Sequence, residues 1–456
     1  MSHSPTVTEP SVSDDDDRLA RLSGLAGSIL ERCAAHGASQ AQVSLSSDLG
    51  LSVTVRLGEV ETIERRQDSG VGITVYFGQQ RGTASTADLA EASIQATIEH
   101  ACAIARHTQP DPCAGLADPD RLARQWPELD LWHPWQAEAA QVVDLALRCE
   151  AAGRDLDRRI DNSDGASIAL GHSLDVYANS HGFLAAERRS MHSISCSLVA
   201  RADDGSLQRD YWYDAARAGT DLMAPEAVGR RAAERTLARL GARSLSTRRC
   251  PVLFVPEVAR GLIGHFLAAI SGGAQYRKSS FLLDQVGQPV LPPFLSMIER
   301  PHLPRGHGSA GFDDEGVATA DSVLVEDGVL TRYLLDSYSA RRLGLTSTAN
   351  AGGVHNLSLT PGPDDWPSLL ARMDRGLVVT ELMGQGVNPV TGDYSRGATG
   401  FWVENGKIAY PVSEVTIAGN LRPMLAGIVA VGNDVDRRAN VLTGSILIDE
   451  MTVAGR

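Results

Sequence analysis

Apolar positions near the amino terminus recur at helical spacing, after an opening stretch that is almost wholly polar. Residues 1–17 are acidic and contain proline, which predicts a disordered tail. Leu22 and Ile29 belong to an apolar series with helical spacing, which predicts a helix that ends near Gly37. Asp17 stands where this helix should begin, so it is the candidate N-cap.

The segments that follow alternate apolar and polar residues, a pattern typical of half-buried strands. Short strand-like runs fill most of residues 41–86, and an amphipathic pattern over 88–107 predicts a helix. Together they predict an N-terminal α/β domain, residues 18–110, built on an antiparallel sheet. A stretch rich in proline and aspartate at 108–120 then marks a domain boundary.

A central domain is predicted over residues 120–240. Two helical patterns lie at about 134–152 and 224–241, with strand patterns between them. Residues 240–250 are predicted to be a linker. From there the composition shifts toward glycine and short strands, which predicts a β-rich C-terminal domain over residues 250–456.

Two tight hairpins follow from turn chemistry in this last region. Asp327-Gly328 and Asn405-Gly406 each separate two strand-like runs. Asp-Gly and Asn-Gly readily supply the positive φ values that a two-residue type I′ turn needs. The fold class predicted for the whole chain is therefore α+β, with antiparallel sheets.

Composition narrows the function classes. The chain has 456 residues and a net charge of −14, which argues against nucleic-acid binding because phosphate neutralisation needs a basic face. It shows neither a signal-peptide pattern nor about 18 consecutive apolar residues, so a cytoplasmic protein without a membrane partner is expected. The six cysteines include no Cys-x-x-Cys pair, which predicts buried, reduced thiols.

Considered alone, the residues contain only weak catalytic or ligand-binding motifs. No phosphate-binding glycine loop is present. Residues 307–311 (HGSAG) approach the G-x-S-x-G pattern around Ser309. They follow a proline-rich loop, whereas the hydrolase elbow needs a strand, so the pattern favours a flexible loop.

One polar loop offers the main alternative site. His302 and His307 lie five residues apart, with Glu299, Asp313 and Asp314 nearby. Such a loop could recruit a metal, although its spacing matches no helical zinc motif and a solvated loop is the simpler interpretation.

A glycine-containing helical pattern near residue 260 is predicted to be structural. His265 shares an apolar stripe with Leu262 and Phe266, which predicts a packed core histidine. Gly261 and Gly264 are poor helix formers, so they suggest a close approach of another backbone.

Four consecutive residues further along are candidates for substrate or interface contacts. Asp393, Tyr394, Ser395 and Arg396 lie in a glycine-rich segment, NPVTGDYSRGATG. Tyr, Ser and Arg donors could orient a ligand there, and a structural turn beneath a sheet is an equally good interpretation.

The C-terminal half contains longer recognisable segments. GHFLAAISGGAQYRKSSFLLD, LTRYLLDSYSARRLGL, NAGGVHN and LVVTELMGQGVNPVTGDYSRGATGFWVENGKIAYPVSEVTIAGNL closely resemble the TldD/PmbA metalloprotease family, on its PmbA (TldE) side. The resemblance runs essentially without a gap from about Cys250 to Arg456, and the N-terminal α/β segments fit the family layout.

The resemblance implies a zinc site that this chain lacks. In the TldD paralogue, zinc is held by an H-E-x-x-x-H helix and a later cysteine. Laid onto this sequence, the first histidine falls on Arg260, the glutamate on Gly261 and the second histidine on His265. The cysteine falls on Thr443. An arginine has no lone pair for zinc and a glycine offers no general base, so no metal and no catalytic residue are expected in this chain.

The family context implies a cytoplasmic protease made of two paralogues. We expect this chain to be the non-catalytic subunit, a pseudoenzyme that pairs with a TldD-like subunit carrying the zinc. Expected substrates are extended or unfolded peptides, including the leader of a modified peptide such as a microcin, and antitoxins. Exposed strand edges in the β-rich domain are expected to hold such peptides. The alternatives are an independently active hydrolase that uses the loop of His302 and His307, and a non-proteolytic scaffold.

Overall fold

The computed structural model describes residues 12–455, with side chains from Asp15 onward. Nine α-helices are described: α1 Val12–Ala35, α2 Glu91–His107, α3 Ala139–Arg154, α4 Pro225–Ala238, α5 Pro256–Ala269, α6 Gly272–Tyr276, α7 Ser337–Leu343, α8 Trp366–Met373 and α9 Leu421–Ala426. The first six strands are β1 Gln40–Arg56, β2 Glu59–Phe77, β3 Gln80–Thr86, β4 Ile160–Asn179, β5 Leu184–Arg201 and β6 Leu207–Ala216. The other strands are β7 Arg248–Phe254, β8 Met297–Glu299, β9 Ser322–Glu326, β10 Val329–Leu330, β11 Leu357–Leu359, β12 Gly376–Met383, β13 Asp393–Glu404, β14 Lys407–Asn420, β15 Ile428–Val431, β16 Val441–Leu442 and β17 Ile446–Ala454.

The first six strands form one antiparallel sheet in the order β3-β2-β1-β4-β5-β6. β1 pairs with β4 from Gln42 to Val55, so the segments expected as N-terminal and central domains share a continuous sheet. Alternate residues of β1, among them Val43 and Val53, point to one face. α1 and α2 cover one end of that face, and α3 and α4 cover the other. The opposite face stays polar, as expected for an antiparallel sheet with one packed side.

The first helix begins earlier than predicted. α1 starts at Val12, so residues 12–17 of the expected disordered tail are helical. Residues 1–11 of that tail lie outside the described residues. Asp17 is therefore inside α1 and is not its N-cap. The run of aspartates lies in the first turns, where carboxylates interact favourably with the positive end of the helix dipole.

The strands of the first sheet are longer than their sequence pattern suggested. The separate short runs predicted between residues 41 and 77 join into β1 and β2, which are 17 and 19 residues long. Leu57 and Gly58 join them through two positive φ values, 54° and 81°. The sequence pattern did not indicate this turn, because leucine is an unusual residue at positive φ.

The C-terminal region is β-rich, as predicted. Its larger sheet has the order β14-β13-β12-β7-β17-β15, and an additional β14–β17 pairing closes it on itself. A smaller sheet has the order β10-β9-β8-β11-β16. Both predicted hairpins are confirmed, since β9–β10 and β13–β14 are antiparallel pairs whose turn residues all have positive φ. The α+β fold class is therefore confirmed.

Two segments expected as connections are packed into the fold. In the predicted linker, Leu245 is buried in the C-terminal core, and residue 243 forms a bridge with Val412 of β14. Within the proline-rich boundary, Ala117 packs with Phe183 and Val317 in a small core between the N-terminal and C-terminal halves of the chain. Apolar side chains within these polar stretches explain why they are not free linkers.

A cleft of about 990 Å³ separates the polar face of the first sheet from the C-terminal loops. Gln42, Ser44 and Tyr177 line the sheet side, and Asp314 and His355 line the loop side. In the described part of the chain, no helix is long and apolar enough to cross a membrane.

Candidate functional site

α5 carries the residues that the resemblance aligns with a zinc motif. Pro256 occupies its first turn, where a missing N–H costs nothing. Leu262, Ile263 and Phe266 form its buried face. Gly261 and Gly264 lie on the opposite, exposed face. A Cβ atom added at either glycine would meet no heavy atom within 4 Å, so the expected close backbone approach is wrong.

An ion-pair network occupies the position of the first zinc-motif residue. Arg260 donates to the Tyr213 hydroxyl at 2.8 Å and lies 3.5 Å from a carboxylate oxygen of Asp436. Arg438 contacts the same carboxylate at 2.8 Å. Its other nitrogens reach Glu257 of α5 and the Tyr213 carbonyl, both at 2.9 Å. Two guanidinium groups and two carboxylates therefore join α5, β6 and the loop before β16.

Asp436 is the carboxylate at the centre of this network, and it pairs with both arginines. Burial alone would raise the pKa of Asp436. The hydrogen bonds and charge of Arg438, together with the charge of Arg260, hold that pKa below its usual value. Thr443 forms an isolated bridge with Asp436. Its hydroxyl is buried and donates to the Gly444 carbonyl.

His265 is half-buried on α5, and its ring makes an edge-to-face contact with Tyr394 at 6.0 Å between centroids. Burial lowers the pKa of His265, and the positive charge of Arg396 lowers it further. Both causes favour the neutral form of the ring. It is less buried than the core histidine that the sequence predicted, although its neighbours Leu262 and Phe266 are fully packed.

These residues do not fit a zinc ion. Of the four positions aligned with the TldD ligands and base, only His265 offers a lone pair of the type zinc prefers. Asp436 is neutralised by two guanidinium groups, and Thr443 points into the protein. Over the described range, no three His, Cys, Asp or Glu side chains lie close enough to hold a metal ion.

The four predicted contact residues lie at the start of β13, next to α5. Asp393 is exposed, and its carboxylate accepts hydrogen bonds from the Thr391 hydroxyl and the Asn420 amide. This arrangement closes a turn. Tyr394 is buried, and burial raises its pKa to about 12. Arg396 alone lines a pocket, so the structure separates a structural part of this motif from an accessible part.

That pocket has a volume of about 330 Å³, within the usual range for small-ligand sites. β6 supplies three consecutive aromatic residues, Tyr211, Trp212 and Tyr213, and α5 supplies Gly261. Arg438 stacks on Trp212, with the guanidinium carbon 4.2 Å from the ring centroid. The sequence analysis missed this aromatic run, although three adjacent aromatics in a chain with only 5% aromatic residues were an available signal.

The free edge of β6 beside this pocket is occupied by the chain's own side chains. Arg239 donates to the carbonyl of residue 209 at 2.6 Å, and Arg438 donates to that of Tyr213. Asp210 and Asp214 accept from the amides of residues 211 and 215. Side chains that occupy an edge in this way protect it from pairing with another strand.

Comparison with known proteins shows which family has this architecture. Three models of the PmbA/TldA metallopeptidase match the chain: domain 1 matches residues 41–105, the central domain 132–240 and the C-terminal domain 247–455. The chain belongs to the TldD/PmbA metallopeptidase family. The metalloprotease PmbA of Escherichia coli O157:H7 is 50% identical over 416 residues, which are 91% of this chain and 92% of that protein.

More distant members of the TldD/PmbA family show both paralogous branches. A metalloprotease TldD homolog of Haemophilus influenzae is 24% identical and covers 77% of each chain. The crystal structure of TldE from Thermococcus kodakarensis has a TM-score of 0.83 and covers 94% of this chain and 99% of that one. Its sequence identity is 20%, so it supports the fold alone.

The loop proposed as an alternative site does not gather its residues into one centre. His302 contacts the Thr319 hydroxyl at 3.1 Å, while His355 contacts the Ala349 carbonyl. Burial is the main reason that the pKa of His307 is lowered. Ser309 is buried and is held between the Leu303 carbonyl and the Asn356 amide.

Two of the three acids named for that loop have structural partners as well. Glu299 is buried and pairs with Arg332 at 2.6 Å. Asp313 is buried and accepts three backbone N–H groups. These contacts provide hydrogen-bond or ion-pair partners for both carboxylates within the chain.

Proposed function

We propose that this chain is the non-catalytic, PmbA-type subunit of a cytoplasmic TldD/PmbA metalloprotease. A TldD-type paralogous subunit holds the zinc and performs the hydrolysis. The proposed substrates are extended or unfolded peptides, including the leader of a modified peptide such as a microcin, and antitoxins. The proposal includes no nucleic-acid or membrane partner.

One observation carries the proposal: the network of Arg260, Asp436, Arg438 and Glu257 fills the place of the zinc ligands. The half-buried guanidinium of Arg260 there is a permanent cation and repels a second cation. Gly261 supplies no carboxylate to deprotonate a water molecule, a task central to metal-assisted peptide hydrolysis. The chain nevertheless keeps the whole fold around this position, which supports a role as a partner subunit.

The pairing part of the proposal draws on the paralogues. The sequence of a TldD homologue matches 77% of this chain, so a paralogue of similar length is available as the partner. The exposed side of α5, with Gly261 and Gly264, leaves room beside two pockets. A subunit that shapes the partner's active site needs such an open surface.

The test compares the chain alone with the chain mixed with its TldD-type paralogue. Zinc is measured by elemental analysis after dialysis, and hydrolysis is followed with an unstructured, fluorescently labelled peptide. We expect less than a tenth of an equivalent of zinc and no hydrolysis for the chain alone. The mixture should hydrolyse the peptide, and a zinc chelator should abolish that activity.

A matched variant assigns the activity to one subunit. His265→Ala in this chain should leave the zinc content and the hydrolysis of the mixture within twofold of the native values. A loss of zinc or a hundredfold loss of activity would place the catalytic centre in this chain. If the chain is instead an independently active hydrolase, His307→Ala should remove activity from the chain alone. If it is a non-proteolytic scaffold, adding the chain should have no effect on hydrolysis.

A further inference from the structure

The aromatic pocket beside α5 contains a guanidinium without a carboxylate partner. Among its charged residues, Glu257 pairs with Arg438, and Glu381 and Asp210 pair with Arg239. Arg396 is different. Its Nε donates to the Met383 carbonyl at 3.3 Å, and among the residues with described side chains no carboxylate forms an ion pair with it.

The surroundings leave this guanidinium accessible from the pocket. Gly261 presents no side chain toward the space, and an added Cβ there would meet nothing within 4 Å. Val258 and Leu382 provide apolar contacts, and Tyr211 is 50% exposed at the rim. A half-buried cation in a partly apolar pocket interacts more strongly with an anion than a cation in bulk water does.

We propose that Arg396 and this pocket bind a carboxylate group of an extended peptide. The planar guanidinium fork matches a carboxylate through two parallel hydrogen bonds, and the Nε contact with Met383 holds the fork in place. The peptide as ligand class rests on the proposed function. The carboxylate itself follows from the unpaired cation, and it comes either from the peptide C-terminus or from an acidic side chain.

A single unpaired guanidinium favours a ligand that carries one carboxylate. The other charges of the pocket are already balanced, because Asp210, Glu257 and Glu381 each pair with an arginine. The occupied edge of β6 excludes binding by strand addition at this place. The pocket therefore favours a ligand anchored by one carboxylate, with an apolar or aromatic side chain against Tyr211.

The experiment measures peptide binding to the full chain by isothermal titration calorimetry. The probes are acetyl-Ala-Ala-Phe with a free C-terminal carboxylate, the same peptide as its C-terminal amide, and acetyl-Glu-Ala-Phe amide. We expect at least tenfold tighter binding for one of the two carboxylate peptides than for the uncharged amide. Whichever carboxylate peptide binds identifies the source of the group, and equal affinity for all three probes overturns the proposal.

Two variants and a control test the position of the site. Arg396→Gln should reduce the carboxylate preference to less than threefold, because the amide keeps a donor but loses the charge. Gly261→Leu should weaken binding at least tenfold by filling the pocket. Arg124→Gln removes an equal charge from an exposed site elsewhere and should leave the affinity unchanged. Circular dichroism checks that each variant is folded.

The outcomes separate this inference from the proposed function. A carboxylate preference that survives Arg396→Gln, or native affinity in Gly261→Leu, overturns the site. Hydrolysis by the subunit mixture would still support the proposed function in that case. Conversely, peptide binding that depends on Arg396, with no effect of this chain on hydrolysis, would support the site and contradict the proposed function.

Discussion

At the scale of single residues, two glycines on α5 leave an open surface. Gly261 and Gly264 stand on an open face, where a side chain would meet no neighbour. A glycine in a helix interior is less favourable than alanine because it loses more backbone entropy on folding. The structure gives no packing reason for either glycine, and the room that they leave borders two pockets.

Alanine at these positions should therefore stabilise the protein. We expect Gly261→Ala and Gly264→Ala each to raise the free energy of unfolding by about 0.5–1 kcal/mol. Urea denaturation measures the change. A loss of stability in either variant would mean that the glycine accommodates a contact that the isolated chain already makes.

The charge of Arg396 also has a measurable effect on a neighbouring residue. Burial and this cation together hold the pKa of His265 below its ordinary value. Arg396→Gln removes one of the two causes, so the pKa of His265 should rise toward that value while remaining lowered by burial. A proton NMR titration of the imidazole follows the change. Arg124→Gln is the control and should leave the His265 titration where it is.

At the level of elements, the ion-pair network fixes α5 against β6 and the loop before β16. Asp436 is buried between Arg260 and Arg438, and Arg438 also reaches Glu257 at the start of α5. A salt bridge buried in this way is not by itself a strong source of stability, but removing one partner leaves charges without compensation. The network therefore matters for the relative position of three elements.

Removing its central carboxylate should be costly. We expect Asp436→Ala to lower the free energy of unfolding by about 3 kcal/mol, because the half-buried Arg260 loses its carboxylate and Arg438 keeps only Glu257. The matched control is Glu450→Ala, which breaks the exposed Arg249–Glu450 pair between β7 and β17 and should change stability little. Equal effects of the two variants in urea denaturation would contradict the importance of burial here.

At the level of the whole molecule, a loop around Asp313 joins the two halves. Val317 forms a bridge with Leu122, and Phe183 packs against Gly316. Asp313 shapes this loop by accepting N–H groups of residues 315, 317 and 351. Burial raises its pKa to about 7, even though these hydrogen bonds favour the charged form.

The raised pKa of Asp313 predicts a pH dependence of stability with a definite sign. Between about pH 4 and pH 7 the folded state retains a proton that the unfolded state has released. The contribution of Asp313 to the free energy of unfolding is therefore complete at low pH. It is lost as the pH rises, by up to about 1.4 kcal/mol per pH unit.

Comparison with Asp313→Asn isolates this contribution, because the other titrating groups cancel. The stability of the asparagine variant relative to the native chain should increase from pH 4.5 to about pH 7 and then level off. Urea denaturation across this range gives the difference directly. A difference that does not change with pH would mean that Asp313 does not titrate within it.

The sequence predicted the elements better than their assembly. The helix at 88–107 and both hairpins followed from periodicity and turn chemistry, since these depend on neighbours along the chain. The start of α1 at Val12 was missed because a polar, acidic segment has no apolar stripe to signal a helix. The pairing of β1 with β4 could not be predicted, because it joins residues more than 100 positions apart.

The candidate site, too, has one part that the sequence determined and one that only the fold determined. The sequence by itself determined that Arg260, Gly261 and Thr443 cannot supply zinc ligands or a catalytic base, since that follows from the chemistry of each side chain. Only the tertiary structure decided which side chains surround the aligned position. Asp436 and Tyr213 approach α5 from distant segments, and Arg396 lacks an acidic partner because the pocket's acids pair with other arginines. Side-chain identity is local, whereas burial and ion pairing depend on which distant segments the fold brings together.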